Sequence, residues 1–508
     1  MHACVKTVAF FGVSVEEIDV QVQILNGLPS FTIVGLPDKA VAESRERIRA
    51  SLFSMGISFP PKRITVNLAP ADVQKEGSHY DLPIALALLS SMGFISQEDV
   101  SNVIAMGELS LTGSISQVLG VLPASVYAKK NDRVFICPES CAQEAVWVND
   151  GLVLAPKDLL SLINHFKGVQ FLPKIVPDQG KVDEMSVSTC GCFSEIKGQM
   201  LAKRAMEVAA VGGHNLLMLG PPGVGKSMMA SRITGILPPM TAEESLEVTT
   251  IHSLAGKMGG NGLIFRRPFR APHHSASLVA IVGGGSNARP GEISLAHNGI
   301  LFLDELPEFS RAALESLRQP LESGKITVAR ANNHVTYPAK IQLIAAMNPC
   351  RCGYLGVSGK ECSRAPKCGR EYLRKISGPL LDRIDIYIDV PEVKVQDFYQ
   401  DKSQLESSDV IRQRVVRARE IQYHRYGKSK TNSEIEGTDL EKYLSDKGRN
   451  LLLSFVDKAK ISARGFYRVI KLARTLADMS AEDSIKKDHV AEALEYRRIS
   501  SRDYISIS

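Results

Sequence analysis

The chain has 508 residues, 44% hydrophobic and 23% charged, with a formal net charge of +6 at neutral pH. That length exceeds one ordinary core and predicts about three domains. No apolar run reaches the ~18 residues of a membrane span, which argues against a membrane protein, and the mild positive charge permits an anionic partner such as nucleic acid without requiring one. Nine cysteines, an odd number scattered along the chain, point to reduced thiols and a cytoplasmic location.

The N-terminal MHACVKTVAFFGV lacks the basic start and small-residue cleavage site of a signal peptide and reads as a first strand. Residues 1–170 alternate β-rich runs (Ser30–Val34, Arg63–Asn67, Arg133–Ile136) with helical patterns (Asp38–Leu52, Asp81–Met92), predicting an α/β domain. Residues 171–192 hold Pro173, Pro177 and Gly180 among charges and read as a linker. Residues 193–391 form the next unit. From 392 to 508 the pattern is helical, with amphipathic helices expected over Asp409–Tyr426, Asp446–Lys460, Arg464–Met479 and Lys487–Arg497, and a polar, mobile stretch over Gly427–Glu436. There is no internal repeat and no long low-complexity tract.

Residues 215–227 read NLLMLGPPGVGKS, an apolar strand, a glycine-rich turn and a helix start. Gly220, Pro221, Pro222, Gly223, Val224, Gly225, Lys226 and Ser227 match G-x-x-x-x-G-K-[ST]. The glycines let backbone N–H groups close around phosphate oxygens, and the helix N-terminus favours the anion. Lys226 can reach the β- and γ-phosphates and Ser227 can ligate Mg²⁺. The expected ligand is a nucleoside triphosphate. Further on, GILFLDE ends an apolar strand in Asp304 and Glu305. Asp304 would hold Mg²⁺ through its water shell, and Glu305 would polarise the attacking water. IQLIAAMN is another buried-strand run, ending in Asn348, whose amide can orient the water or contact the γ-phosphate. In SGPLLDRIDI, Arg383 lies in a short segment that could face a neighbouring subunit's nucleotide, with a surface arginine paired with Asp382 or Asp385 as the alternative. Arg464, at the start of a C-terminal helix, could close over the γ-phosphate, with Arg468 one turn on as its rival.

These elements, in this order, resemble the AAA+ ATPases. RPFRAPHHSAS (Arg267–Ser277), LRQPLESGKITVAR (Leu317–Arg330), MNPCRCGYLG (Met347–Gly356) and ISGPLLDRIDI (Ile376–Ile386) resemble more narrowly the YifB/ComM family of magnesium-chelatase-like AAA+ proteins, over nearly the whole chain. The resemblance implies a central AAA+ P-loop α/β sandwich and a C-terminal helical lid. It assigns Walker A to Gly220–Ser227, Walker B to Asp304 and Glu305, sensor 1 to Asn348, the arginine finger to Arg383 and sensor 2 to Arg464. It implies ATP and Mg²⁺ as cofactors, a hexameric ring, and DNA, single-stranded or branched, as partner in helicase-type branch migration during natural transformation. A motor that remodels a protein partner, as a magnesium chelatase does, is the alternative.

Ala69–Leu89 and Gly107–Gly120 resemble the Lon-protease (S5-like) α/β fold. Matched through these segments, the nucleophile position falls on His79 and the lysine position on Ser125; Ser78 is one residue out of register, and Lys129–Lys130 are displaced. The fold is expected without the peptidase, serving DNA binding or ring assembly. Two insertions are candidate DNA-contacting pore loops: Thr250–His297, with Arg266, Arg267, Arg270 and Arg289, and a hairpin tipped by Asn332, Asn333 and His334. His273 and His274, adjacent and without a third ligand, read as loop structure. Cys350, Cys352, Cys362 and Cys368 form C-x-C-x₉-C-x₅-C in a basic loop and are candidate ligands of a structural Zn²⁺, with free thiols as the alternative. Cys190 and Cys192 read as incidental.

Overall fold

The computed structural model describes residues 2–149, 151–177, 191–258, 262–285, 288–329, 334–355, 364, 366–393, 395–398, 405–427, 429–459 and 462–497. Its N-terminal unit begins with a two-residue hairpin. His2–Phe11 pairs antiparallel with Ser14–Leu25, and Gly12 supplies the left-handed turn at φ 61°. These strands centre a seven-stranded mixed sheet in the order 30–34, 63–69, 14–25, 2–11, 103–105, 134–136, 153–154. The helix Lys39–Ser54 starts where Asp38 accepts the Val41 amide at 2.8 Å. The helix Asp81–Ser91 is buried nearly all round, so its one charge is neutralised internally: Arg47 reaches Asp81 at 2.6 Å.

The second unit is built on a five-stranded sheet in the order Phe269–Arg270, Ile300–Leu303, Gln342–Met347, Leu216–Leu219, Ile386–Asp389, every pair parallel. The runs LLML, ILFL and QLIAAM are buried on both faces, as a parallel sheet covered on two sides requires. All five carboxyl ends therefore point the same way, toward one crevice.

Four main helices follow: Ser408–Tyr426, Asp446–Ala459, Ala463–Met479 and Lys487–Glu495. Their apolar faces share one core with the sheet, Val469, Leu472 and Leu476 packing in the same cluster as Val208, Ile344 and Ile386. The first two units also touch. The buried Glu144 accepts the Leu122 amide at 3.0 Å and hydrogen-bonds Ser253 across the junction, and a Cβ at Gly12 would lie 2.8 Å from Val335.

Two expectations need correcting. Gly427–Glu436 contains a short 3₁₀ turn, Asn432–Glu434, pinned by Asn432, which is fully buried and hydrogen-bonds Gln422, Thr475 and Asp478. The region 250–297 is not one long loop, because Phe269–Arg270 belongs to the central sheet and Leu278–Val282 and Glu292–Leu295 are helical. Of the linker, 171–177 and 191–192 are described and contain no helix or strand, and 178–190 lies outside the described residues.

The helical unit is locked by a buried charge cluster. Asp478 pairs with Arg474 at 2.9 Å and with Arg425 at 2.5 Å, and accepts Asn432 at 2.8 Å. Asp478→Ala would leave two guanidiniums without their shared carboxylate and is expected to cost about 3–5 kcal/mol. Urea unfolding followed by circular dichroism should show a lower midpoint for the helical unit; an unchanged midpoint contradicts this account.

Candidate active site

The strand Leu216–Leu219 lies between Gln342–Met347 and Ile386–Asp389, so the turn that follows it emerges at the centre of the crevice. Gly220 admits no side chain, since a Cβ there would sit 2.3 Å from the Val390 carbonyl oxygen. Gly223 and Gly225 take left-handed φ values of 82° and 88°, which curl the backbone toward the helix Lys226–Arg232.

Lys226 is buried, and its ammonium donates to the carbonyl oxygens of Gly220 (2.7 Å) and Pro221 (2.8 Å) and to Asn348 Oδ1 (3.0 Å). Burial pushes its pKa down, opposed by the nearby charges of Asp304 and Glu305. Ser227 Oγ donates to Asp304 Oδ2 at 2.5 Å, while Asp304 Oδ1 accepts the Glu305 amide at 3.0 Å. A hydroxyl and a carboxylate held side by side are hard oxygen donors, the set that suits Mg²⁺. Glu305 takes a left-handed backbone at φ 52°, and its half-exposed carboxylate points to His274, whose Nδ1 is 3.5 Å from Oε2. Gly220–Ser227, Asp304, Glu305 and Asn348, expected separately from sequence, are thus neighbours at one end of the sheet.

Sequence reasoning missed His274. It follows the two-residue strand Phe269–Arg270, which pairs parallel with Ile300–Leu303 and so brings it beside Glu305. The available signal was the apolar Phe269 in that short run, too weak to identify a strand.

Arg383 and Arg464 come together elsewhere. Arg383 pairs with Glu322, and Arg464 lies 3.7 Å from the same carboxylate. Arg468 pairs with Asp385 and donates to the Arg383 carbonyl at 3.1 Å. Arg468 and His214 hold the buried Asp385 well below the usual carboxylate range, with burial opposing. Arg468 is therefore committed to Asp385, and Arg464, 64% exposed, is the one that reaches outward.

The expected basic loop is only partly available. Arg267, its side chain 8% exposed, is bound to Glu244 at 2.8 Å and to the carbonyls of Pro238 and Asn298, and Arg270 is held at 2.6 Å by Glu292. These two arginines are held by partners within the subunit. Arg289 and His334 are exposed; Asn332 and Asn333 lie outside the described residues. After Asn348, Cys350 and Cys352 place their sulfurs 3.0 Å apart, and Gly353 packs on Pro222 so closely that a Cβ would fall 2.7 Å from its Cδ. Cys362 and Cys190 lie outside the described residues, and among the described residues no three His, Cys, Asp or Glu side chains are grouped to hold a metal.

In the N-terminal unit, Ser78 donates to Glu108, His79 is buried with Nε2 2.9 Å from the Val8 carbonyl, and Ser125 is buried on the Ala145 carbonyl at 2.8 Å. Burial pushes His79 down to about 4 despite that hydrogen bond, so its imidazole is neutral at physiological pH. A cavity of about 340 Å³ lies beside Ser78 and His79 and is lined also by Arg289, Val335 and Tyr337. Among the described residues, no helix is long and apolar enough to cross a membrane.

Known proteins match over nearly the whole chain. Three family profiles align in sequence: "Subunit ChlI of Mg-chelatase" over residues 20–141, "Magnesium chelatase, subunit ChlI" over 192–398, and "Magnesium chelatase, subunit ChlI C-terminal" over 405–497. The chain is 43% identical to the competence protein ComM of Haemophilus influenzae, covering 97% of each. It is 42% identical to the uncharacterized protein YifB of Salmonella typhimurium, covering 98% of this chain and 97% of that one. Against YifB of Escherichia coli it is 40% identical, over 97% of each. A phosphate-loop crevice of this architecture, with identity of this extent, places the chain in the YifB/ComM family of magnesium-chelatase-like AAA+ ATPases.

Proposed function

We propose that the chain forms a hexameric ring that couples Mg·ATP hydrolysis to movement of DNA, by unwinding or branch migration during DNA uptake and recombination in the cytoplasm. The observation that carries the hydrolytic part is the convergence of Lys226, Ser227, Asp304, Glu305 and Asn348 on one crevice. The DNA part rests on likeness over 97% of the chain to a relative named for competence.

The geometry supports the following roles. Lys226 exchanges its carbonyl and amide partners for β- and γ-phosphate oxygens, which satisfy an ammonium better because they carry charge. Ser227 and Asp304 would hold Mg²⁺, which neutralises phosphate charge. Glu305 accepts the proton of the attacking water, and His274 fixes where its carboxylate points. Asn348 ties the third strand's tip to the same phosphate. Arg383 and Arg464, gathered at Glu322, serve a neighbour's nucleotide, which makes hydrolysis a property of the ring.

The N-terminal unit is read as a Lon-protease-like fold without a peptidase, because Ser78 faces a carboxylate and Ser125 is committed to a backbone carbonyl. It serves DNA binding or ring assembly. A structural Zn²⁺ at Cys350, Cys352, Cys362 and Cys368 draws on the Cys350–Cys352 pair alone. A second reading, a motor that remodels a protein partner, draws on the magnesium-chelatase profiles.

Three outcomes test this. Glu305→Gln should keep ATP affinity while lowering kcat by about 10²–10⁴, and Lys226→Ala should lose nucleotide binding in a fluorescent-ATP titration; a Glu305→Gln protein that hydrolyses normally contradicts the assignment. Single-stranded or forked DNA should raise the ATPase rate at low salt and do so less as salt rises; neither binding nor stimulation would favour the protein remodeller. Protein purified without chelator should carry close to one zinc per chain, and less than about a tenth of an equivalent would remove the zinc site.

A further inference from the structure

Arg383 is 4% exposed, an unusual state for a side chain expected to contact another subunit. One amino group donates to the Pro379 carbonyl, the other pairs with Glu322, and Nε is buried without a partner. Glu322 sits on the helix Arg318–Ser323, half exposed, and the same oxygen lies 3.7 Å from Arg464 at the start of the helix Ala463–Met479. Arg318 opens the Glu322 helix and is bound to Glu315 at 2.9 Å. Burial lowers the Arg383 pKa, Glu322 opposes this, and the positive charges of Arg318, Arg464 and Arg468 reinforce it. Arg468 has its own carboxylate in Asp385. Among the described residues, that leaves Glu322 as the anion shared by Arg383 and Arg464.

Such an arrangement has two competing anions by construction. Glu322 carries a single charge and, being half exposed, is readily hydrated when released. A terminal phosphate carries more charge and more acceptor oxygens, and guanidinium forks match it well. A shallow depression lined by Arg318, Glu322 and Arg383 opens on this face, so an incoming phosphate has an approach. Without such a competitor, Arg383 stays folded inward on Glu322.

We propose that Glu322 is a positioning residue: it holds Arg383 and Arg464 together on the outer face of the subunit and yields them to the γ-phosphate of a neighbour's ATP. The inference rests on the reading of Arg383 as acting on a neighbour. It makes subunit engagement depend on the third phosphate, since a diphosphate offers less charge in that position to outcompete the carboxylate. Glu322 would then keep Arg383 folded inward until a third phosphate is present, without touching the nucleotide.

The test compares oligomer formation in ATP and in ADP, by analytical ultracentrifugation of the full chain across nucleotide concentrations, with ATPase assayed in parallel. Wild-type protein should need much more ADP than ATP for half-maximal assembly. Glu322→Gln, which removes the charge and keeps the shape, should lower the ATP concentration for half-maximal assembly by about tenfold, the scale of one charge-assisted hydrogen bond, because Arg383 no longer has to leave a carboxylate. Glu322→Ala should move it in the same direction. An unchanged ATP requirement in both variants, with Arg383→Ala unable to hydrolyse ATP, would overturn the role of Glu322 and leave the role of Arg383 standing. Arg383→Ala with a wild-type ATPase rate would overturn both.

Discussion

The Lys226 ammonium is the contact on which the site depends. It is buried, and its three acceptors come from two places: the Gly220 and Pro221 carbonyls of its own turn, and the Asn348 amide at the end of a different strand. A buried ammonium requires such partners, because its charge is expensive away from water. The requirement binds the phosphate loop to the adjacent strand end. It also explains why that strand, Gln342–Met347, must lie directly beside Leu216–Leu219 in the sheet.

A second constraint is the all-parallel sheet. With every strand pointing the same way, Ser227, Asp304 and Asn348 meet although long stretches of chain separate them. The glycines are fixed by the same packing: Gly220 against Val390 from one flank, Gly353 against Pro222 from above. The arginines obey a different logic. Arg383 and Arg464 gather on Glu322, and Asp385 and Arg468 anchor that assembly to the sheet edge and the helical unit. The subunit thus gathers Lys226, Ser227, Asp304, Glu305 and Asn348 in one place and the cations Arg383 and Arg464 in another. Two such surfaces from neighbouring copies would complement each other.

Much of this was legible in the sequence, and the reason is locality. The phosphate loop, the DE strand end and the Asn348 strand end each declare themselves within a dozen or so residues of pattern. The strand Ser30–Val34 and the helix Asp81–Ser91 were visible for the same reason. What was hidden depends on partners distant in sequence. Arg267 and Arg270 looked like nucleic-acid ligands because nothing local reveals Glu244 and Glu292 as their partners. Gly427–Glu436 looked mobile because its anchor, Asn432, is held by Thr475 and Asp478 from another helix. His274 read as loop structure, a histidine pair without a third ligand, and it does lie in a loop; only the pairing of the two-residue strand before it with Ile300–Leu303 brings it beside Glu305. Glu322 carried no motif at all and emerges only as the meeting point of Arg383 and Arg464.

The central claim is that each ATP site is completed by a neighbouring subunit. Mixed rings test it directly. Arg383→Ala subunits keep an intact crevice but offer no arginine; Glu305→Gln subunits offer the arginine but lack the base. Each variant alone should be nearly inactive, and mixing them should recover part of the wild-type ATPase rate, because some junctions then pair an intact crevice with an intact arginine. If mixing recovers nothing although the two variants co-assemble, Arg383 does not act across the subunit boundary, and the account is wrong.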